Sequence, residues 1–257
     1  MNININGIDV NYSMQGTSAD AILILPGWGA TSAVYTHISK QLSEKFTVYV
    51  LDLPGFGVTK EPSEPWSVDD FTDLVSEFIK KNNLNNFTIM GHSYGGRIII
   101  KLCNRINPFT IKKVVLVDSA GIKNPLSAEQ QKKQNQYKKL KKIFQHKLLI
   151  SLFPKAVEKI QKKYGSSDYA SASPVMRGTL VKSVSEDLSD LIPSITQEAL
   201  LIWGENDTAT PVSNALTMNK LIKNSKIEII ENAGHFPFLD QPFEFRKIIK
   251  KHFNLSD

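Results

Sequence analysis

Six short runs of this chain are apolar almost throughout rather than at every second residue: Ala21–Leu25, Val48–Leu51, Phe87–Met90, Val114–Val117, Leu200–Trp203 and Ile227–Ile230. A strand with one face in water alternates apolar and polar side chains. A strand that is apolar on both faces must be covered on both, and that is the habit of parallel sheets sandwiched between helices. The segments between the runs read as helices: Ala33–Glu44, Val68–Lys80 behind a Ser67-x-x-Asp70 capping pattern, Tyr94–Ile106, Val212–Ile222 with Thr210 as N-cap and Pro211 at the first helical position, and Phe243–Phe253. Ile3–Gln15 adds two alternating strands either side of Asn6-Gly7, a hairpin signal. Strand and helix alternate, so the expected class is α/β, a doubly wound and mostly parallel sheet. Ligands of such sheets bind beyond the carboxyl ends of the strands.

The alternation fails once. Between Ala120 and Pro193 there are helical patterns (Ala128–Phe144, Leu148–Tyr164, Pro174–Leu188) and no strand-like run. Residues 122–195 hold 14 Lys and Arg against 6 Asp and Glu, a net charge of +8; the whole chain is +6, so the remainder nets −2. Such a shift marks an inserted unit with its own surface. The expected organisation is a core of residues 1–120 and 194–257 with an all-helical cap, residues 121–193, leaving the sheet at its carboxyl edge and covering whatever lies there.

At that edge stands Gly91-His92-Ser93-Tyr94-Gly95-Gly96, between an apolar strand and an amphipathic helix. Gly-x-Ser-x-Gly in this setting is a nucleophile elbow: a sharp turn that exposes the Ser hydroxyl above a helix N-terminus, with glycines that let strand and helix approach closely. A nucleophilic Ser93 needs a base, an acid and an oxyanion hole. Asp207 follows a buried strand and precedes a helix, which puts it at the same edge; Asp118, at another strand end, is its rival and reads as a turn residue leading into the cap. His235 follows the last strand and precedes the last helix, whereas His37, His146 and His252 lie elsewhere and His92 should point away from Ser93 as packed support. The order Ser93, Asp207, His235, with successive members 114 and 28 positions apart, is that expected of an elbow-type triad. The oxyanion donors expected are the main-chain N–H groups of Tyr94 and of Trp28 in the loop Pro26-Gly27-Trp28-Gly29. Trp28, Arg177 and Phe236 are the candidate substrate contacts, Arg177 as a holder of a substrate carboxylate.

Composition narrows the remaining classes. A hydrophobic share of 41% with 22% charged residues fits a globular protein, and no apolar run approaches the ~20 residues of a membrane span. The start of the chain has no basic region followed by an apolar stretch, so no secretory signal is expected. The single Cys103 cannot form an internal disulfide, and a cytoplasmic setting follows. One Cys and five scattered His give no zinc-ligand spacing, so no metal and no cofactor are expected. The lysines lack interleaved aromatics, which argues against nucleic acid despite a pI of about 9.2.

Leu25-Pro26-Gly27-Trp28-Gly29, Asp52-Leu53-Pro54-Gly55-Phe56-Gly57, Gly91-His92-Ser93-Tyr94-Gly95-Gly96, Trp203-Gly204-x-x-Asp207-x-x-x-Pro211 and Gly234-His235-Phe236-Pro237 occur together and in this order. On these segments the whole chain resembles the α/β-hydrolase superfamily with a helical cap. The resemblance implies Ser93, Asp207 and His235 as its triad. Pro26 departs from the family pattern, which usually has His before the oxyanion Gly. A Ser at the elbow sets the chain apart from the dehalogenase and epoxide hydrolase members, whose nucleophile is Asp. Two of the segments look most like the carboxylesterases that demethylate pimeloyl carrier-protein esters. The expected activity is hydrolysis of a small to medium carboxylic ester through an acyl-enzyme. Carbon-carbon bond hydrolysis, thioester hydrolysis and aminopeptidase activity share the same triad. An acidic acyl carrier protein docked on the basic cap is the alternative partner, and a ligand-binding protein that does not turn over is the remaining class.

Overall fold

In the computed structural model the described residues are 1–125, 131–132, 135–136 and 167–255. The hairpin forms as β1 (Asn2–Ile5) and β2 (Ile8–Gln15), turned by Asn6 and Gly7 with φ of 51° and 88°. Two successive positive φ values define the tight turn whose twist matches that of paired strands. The apolar runs become β3 (Ala21–Leu25), β4 (Thr47–Leu51), β5 (Phe87–His92), β6 (Ile111–Val117), β7 (Glu198–Gly204) and β8 (Ser225–Ile230). They make one eight-stranded sheet in the order β1-β2-β4-β3-β5-β6-β7-β8, in which β1 pairs with β2 and β2 with β4 antiparallel and every other pair is parallel.

The continuous apolar runs serve two cores. Leu23, Leu25, Val114, Leu116, Leu201 and Trp203 face one core, filled by α2 (Val68–Lys81) and α3 (Tyr94–Cys103). Their neighbours Ile22, Ile24, Val115, Val117, Leu200 and Ile202 face the other, filled by α1 (Thr36–Leu42) and by the chain's last helix at Pro242–Phe253. Each strand side chain that goes from water to full burial contributes roughly 1.5–3 kcal/mol, so both faces hold the sheet. The Ser67 cap is as the pattern implied: its hydroxyl accepts the Asp70 N–H while the Asp70 carboxylate accepts the Ser67 N–H.

The helix ends differ from the sequence expectation, each for a local reason. α1 is preceded by a separate 3₁₀ turn, Ser32–Tyr35. α3 stops at Cys103 rather than Ile106, because Asn107 Nδ2 donates to the Leu102 and Arg105 carbonyls and closes the last turn. After β6 the described part of the insertion holds α4 (Ser167–Ser171), α5 (Pro174–Ser185) and a 3₁₀ turn, Ser189–Ser194, and no strand among the described residues. The expected helices 128–144 and 148–164 lie outside the described residues save at 131–132 and 135–136. α5 lies against the loop before α2 and against the start of α3: Trp66 N donates to Thr179 Oγ1 at 3.0 Å, and the Tyr94 and Ser183 hydroxyls are 3.2 Å apart. The chain finishes with α6 (Val212–Leu221), a one-turn α7 (Pro237–Asp240) and α8 (Pro242–Phe253). No helix among the described residues is long and apolar enough to cross a membrane.

Candidate active site

Ser93 stands between β5 and α3 with φ 49° and ψ −108°, a backbone conformation that costs an L-residue about 1–3 kcal/mol and persists only where its surroundings impose it. They do so here. Ser93 N–H donates to Val117 O at 2.9 Å, and Ser93 O accepts the N–H groups of Gly96 and Ala120 at 3.0 Å each. A Cβ on Gly91 would stand 2.7 Å from the Gly95 carbonyl carbon, and one on Gly95 would stand 2.2 Å from Leu25 O in the neighbouring strand. The two elbow glycines thus have different tasks: the first lets α3 close on β5, the second lets it close on β3.

The turn delivers Ser93 to His235. Ser93 Oγ and His235 Nε2 are 2.9 Å apart, and on the other side of the ring His235 Nδ1 and Asp207 Oδ2 are 2.8 Å apart. Asp207 is fully buried at its carboxylate, while His235 keeps about a quarter of its side chain exposed. The Asp207 carboxylate also accepts the Thr210 hydroxyl at 2.6 Å and the N–H groups of Ala209 and Thr210 at 2.8 and 3.1 Å. Burial alone would raise its pKa; the hydrogen bonds from His235 and Thr210 outweigh that and hold it down at about 2. Thr210 spends its hydroxyl on this task, so it does not cap α6 as the sequence suggested. Pro211 is the N-cap and Val212 the first helical residue.

Asp118, the rival acid, is within the same cluster. It is fully buried with φ 41°, its Oδ1 accepts Gly204 N–H at 3.0 Å, and its Oδ2 has no hydrogen-bond partner among the described residues. Burial first, and then the negative charge of Asp207, push its pKa up to about 9 against the pull of the Gly204 N–H. A carboxyl held neutral cannot stabilise an imidazolium, whereas the ionised Asp207 can. Asp118, Asp207 and His235 each offer one ligand atom within a common 4.8 Å. Within it, Asp207 Oδ2 and His235 Nδ1 are already paired with each other at 2.8 Å.

His92 lines the same cavity as Ser93, and its ring is hydrogen-bonded on both sides. Its Nε2 lies 2.7 Å from His235 O, which can only accept, so Nε2 carries the proton and Nδ1 accepts from the Tyr35 hydroxyl at 2.9 Å. The Tyr35 oxygen in turn accepts Gly27 N–H at 3.0 Å. Burial pushes the His92 pKa down to about 3, with the His235 carbonyl opposing, so the ring stays neutral. One chain of hydrogen bonds therefore ties together the loop at Gly27, the elbow and the loop that carries His235. The part of Tyr35 in it was not legible, because the residue reads only as an apolar position of α1's approach.

A cavity of about 630 Å³ opens over this group. Trp28, Ser93, Tyr94, His235 and Phe236 line it, with Leu180, Ser183 and Val184 of α5 opposite. The Trp28 ring meets Phe56 and Tyr94 edge-on, at centroid distances of 4.9 and 5.5 Å. A Cβ on Gly27 would come 3.3 Å from Ser93 Cβ, so the Pro26–Gly29 loop is packed on the nucleophile turn as an oxyanion loop must be. Arg177, expected to reach a substrate, turns elsewhere: its Nε and Nη2 donate to the Tyr169 and Ala170 carbonyls at 2.9 and 3.1 Å, its charge sits over the Tyr169 ring, and it does not line the cavity. The last carbonyls of a helix have no N–H partner within it, and at α4 the guanidinium supplies donors to two of them.

The chain belongs to the alpha/beta hydrolase fold family, whose model matches residues 20–242. Among its relatives, the pimeloyl-[acyl-carrier protein] methyl ester esterase of Pseudoalteromonas atlantica is 27% identical over 244 residues, 89% of this chain and 92% of that one. The 2-hydroxy-6-oxo-2,4-heptadienoate hydrolase of Pseudomonas putida is 22% identical over 268 residues, 98% of this chain and 95% of that one. A solved structure of a bacterial membrane phospholipase A has the same fold, with a TM-score of 0.77 at 21% identity, covering 99% of this chain and 85% of the other. This is a chain of a hydrolase family, with a Ser–His–Asp line at the carboxyl edge of its sheet.

Proposed function

We propose that the protein is a serine hydrolase that cleaves a small to medium carboxylic ester through an acyl-enzyme on Ser93. The observation that carries this reading is the unbroken hydrogen-bonded line from Ser93 Oγ through His235 to Asp207, opening onto a cavity. His235 takes the proton as Ser93 attacks the carbonyl, and passes it to the leaving alkoxide. Asp207 fixes the ring so that Nε2 faces Ser93, and stabilises the imidazolium. The N–H groups of Trp28 and Tyr94 receive the oxyanion; removal of one such donor typically costs about 10²- to 10³-fold in rate. Water activated by His235 then releases the acid. We assign residues 121–193 to a unit inserted after β6, and the presence of α5 residues in the cavity lining supports that division. The chemistry of each step is carried by the chain's own residues and calls for no cofactor.

Steady-state hydrolysis of p-nitrophenyl esters across acyl chain lengths, with Ser93→Ala as control, tests the reading. Activity with an optimum at one length and a drop of at least about 10³-fold in the variant is expected. Equal rates in both proteins would remove Ser93 from the mechanism. A second reading, in which the acyl group is borne by an acidic carrier protein, is favoured by the +8 charge of residues 122–195 and by the name of the 27% identical relative.

A further inference from the structure

One wall of the cavity carries a buried guanidinium that enters no ion pair among the described residues. Arg97 lies four residues after Ser93, one turn along the same face of α3 and about 6 Å further down its axis. It lines the cavity with only 6% of its surface exposed. A guanidinium has five N–H donors and remains charged at any physiological pH. Among the described residues Arg97 uses one of them, from Nη1 to the Glu186 carbonyl at 2.9 Å, and enters no ion pair. The two acids whose charge reaches it are committed elsewhere. Glu186 Oε1 holds Lys101 Nζ at 2.5 Å, and Asp187 Oδ1 accepts the Ser189 hydroxyl at 2.6 Å.

Two further lining residues also have donors to spare. Lys123 lines the cavity and uses one of its three donors on Ser185 O at 2.9 Å. Asn214, 3% exposed, also lines it, and its Nδ2 has no acceptor among the described residues. The one carboxylate in the lining apart from the triad's surroundings is Asp168, which is exposed at the start of α4. A largely buried cation with most of its donors unpaired and no direct ion pair is costly, and an anionic ligand relieves that cost.

We propose that this wall is a carboxylate subsite. The substrate is then an ester whose acyl chain ends in a second, free carboxylate: a dicarboxylic half-ester, with its scissile carbonyl at Ser93 and its far end held by Arg97 and Lys123. This deepens the reading of Ser93 as nucleophile and rests on it. It also transfers to Arg97 the task that the sequence assigned to Arg177.

The test compares p-nitrophenyl hydrogen adipate with p-nitrophenyl hexanoate, which has the same six acyl carbons and no second carboxylate. The wild type is expected to favour the anionic ester in kcat/KM by on the order of 10- to 100-fold, the worth of a charge-assisted hydrogen bond. The ratio should fall towards one in Arg97→Gln and part of the way in Lys123→Gln, whose side chain is exposed and whose folding is not at stake. Arg97→Lys should keep an intermediate ratio, and Lys112→Gln, at the opposite end of β6, the full one. A wild-type ratio near one, or a ratio that Arg97→Gln leaves in place, overturns the subsite while leaving Ser93 as nucleophile. If neither ester is turned over, the nucleophile reading fails separately, and calorimetric titration of adipate into Ser93→Ala decides the subsite. Binding weakened at least tenfold by Arg97→Gln supports it, and no binding, or binding indifferent to Arg97, overturns it.

Discussion

At the scale of single residues, the unequal pair Asp118 and Asp207 makes the sharpest claim. Both are buried, both sit at strand ends beside His235, and their surroundings separate them: Asp207 is held at about 2 and Asp118 pushed up to about 9. The pair thus holds one charge at neutral pH, the one that faces the imidazole. The sign of the consequence for stability follows from proton counting. The native protein keeps the Asp118 proton up to about pH 9, whereas the unfolded chain releases it near the ordinary value of 3.8. Between those limits the native state binds more protons, so stability falls as pH rises, by at most about 1.4 kcal/mol per pH unit. Asp118→Asn keeps the acceptor for Gly204 N–H and removes the titration, so its stability should lack this slope and should exceed that of the wild type most clearly at pH 8. Urea unfolding of both proteins at pH 5, 6.5 and 8 measures it; parallel slopes would mean that Asp118 is ionised in the fold.

At the scale of elements, the strands were legible because burial on both faces leaves a run with few polar residues, and the elbow because Gly91 and Gly95 are required by close packing on either side of Ser93. The hydrogen-bonded line of Ser93, His235 and Asp207 followed, since three loops at one sheet edge converge by topology alone. What was not legible depends on side chains meeting across the fold. The one-turn helix α7 is too short to show a period, yet its Asp240 Oδ2 accepts Gly234 N–H at 2.8 Å and so sets the loop of His235. Thr210 looked like a helix cap because its neighbours are Pro211 and Val212; only the position of Asp207 claims its hydroxyl. Arg97 and Lys123 share a wall only because the chain returns over Ser93 after β6. Arg97 did carry one signal, its position four residues after the nucleophile on a helix. The same contrast between required and incidental positions can be measured. A Cβ on Gly95 meets a main-chain oxygen at 2.2 Å, which no rotamer relieves, so Gly95→Ala should cost about 3 kcal/mol or more and lower hydrolysis with it. Ser67→Ala, which removes the cap of α2 far from Ser93, should cost about 1 kcal/mol and leave turnover in place. Urea unfolding and initial rates on the two variants separate packing at the elbow from helix capping.

At the scale of the whole molecule, positive charge recurs at two depths. Arg97 is enclosed beside the nucleophile, whereas the +8 of residues 122–195 is the charge of an entire segment of the sequence, set against −2 for the rest. Salt distinguishes the two. Attraction between exposed charges is screened over about 8 Å at physiological ionic strength, while a pair enclosed by protein is screened far less. A segment that draws an acidic carrier protein works mainly through the rate of encounter, which falls steeply with added salt. If the natural acyl group is borne by such a carrier, kcat/KM for the carrier-borne ester should fall by about tenfold or more as salt rises from about 50 to 300 mM. The small p-nitrophenyl hydrogen adipate should lose much less of its preference over the hexanoate across the same range, because its carboxylate is held inside. Parallel salt series on the three substrates make the comparison. A carrier-borne ester whose turnover ignores salt would detach the basic segment from substrate capture and leave it as a solvated surface. A preference for adipate that disappears as steeply as the carrier's would place that recognition at the surface too, and not at Arg97.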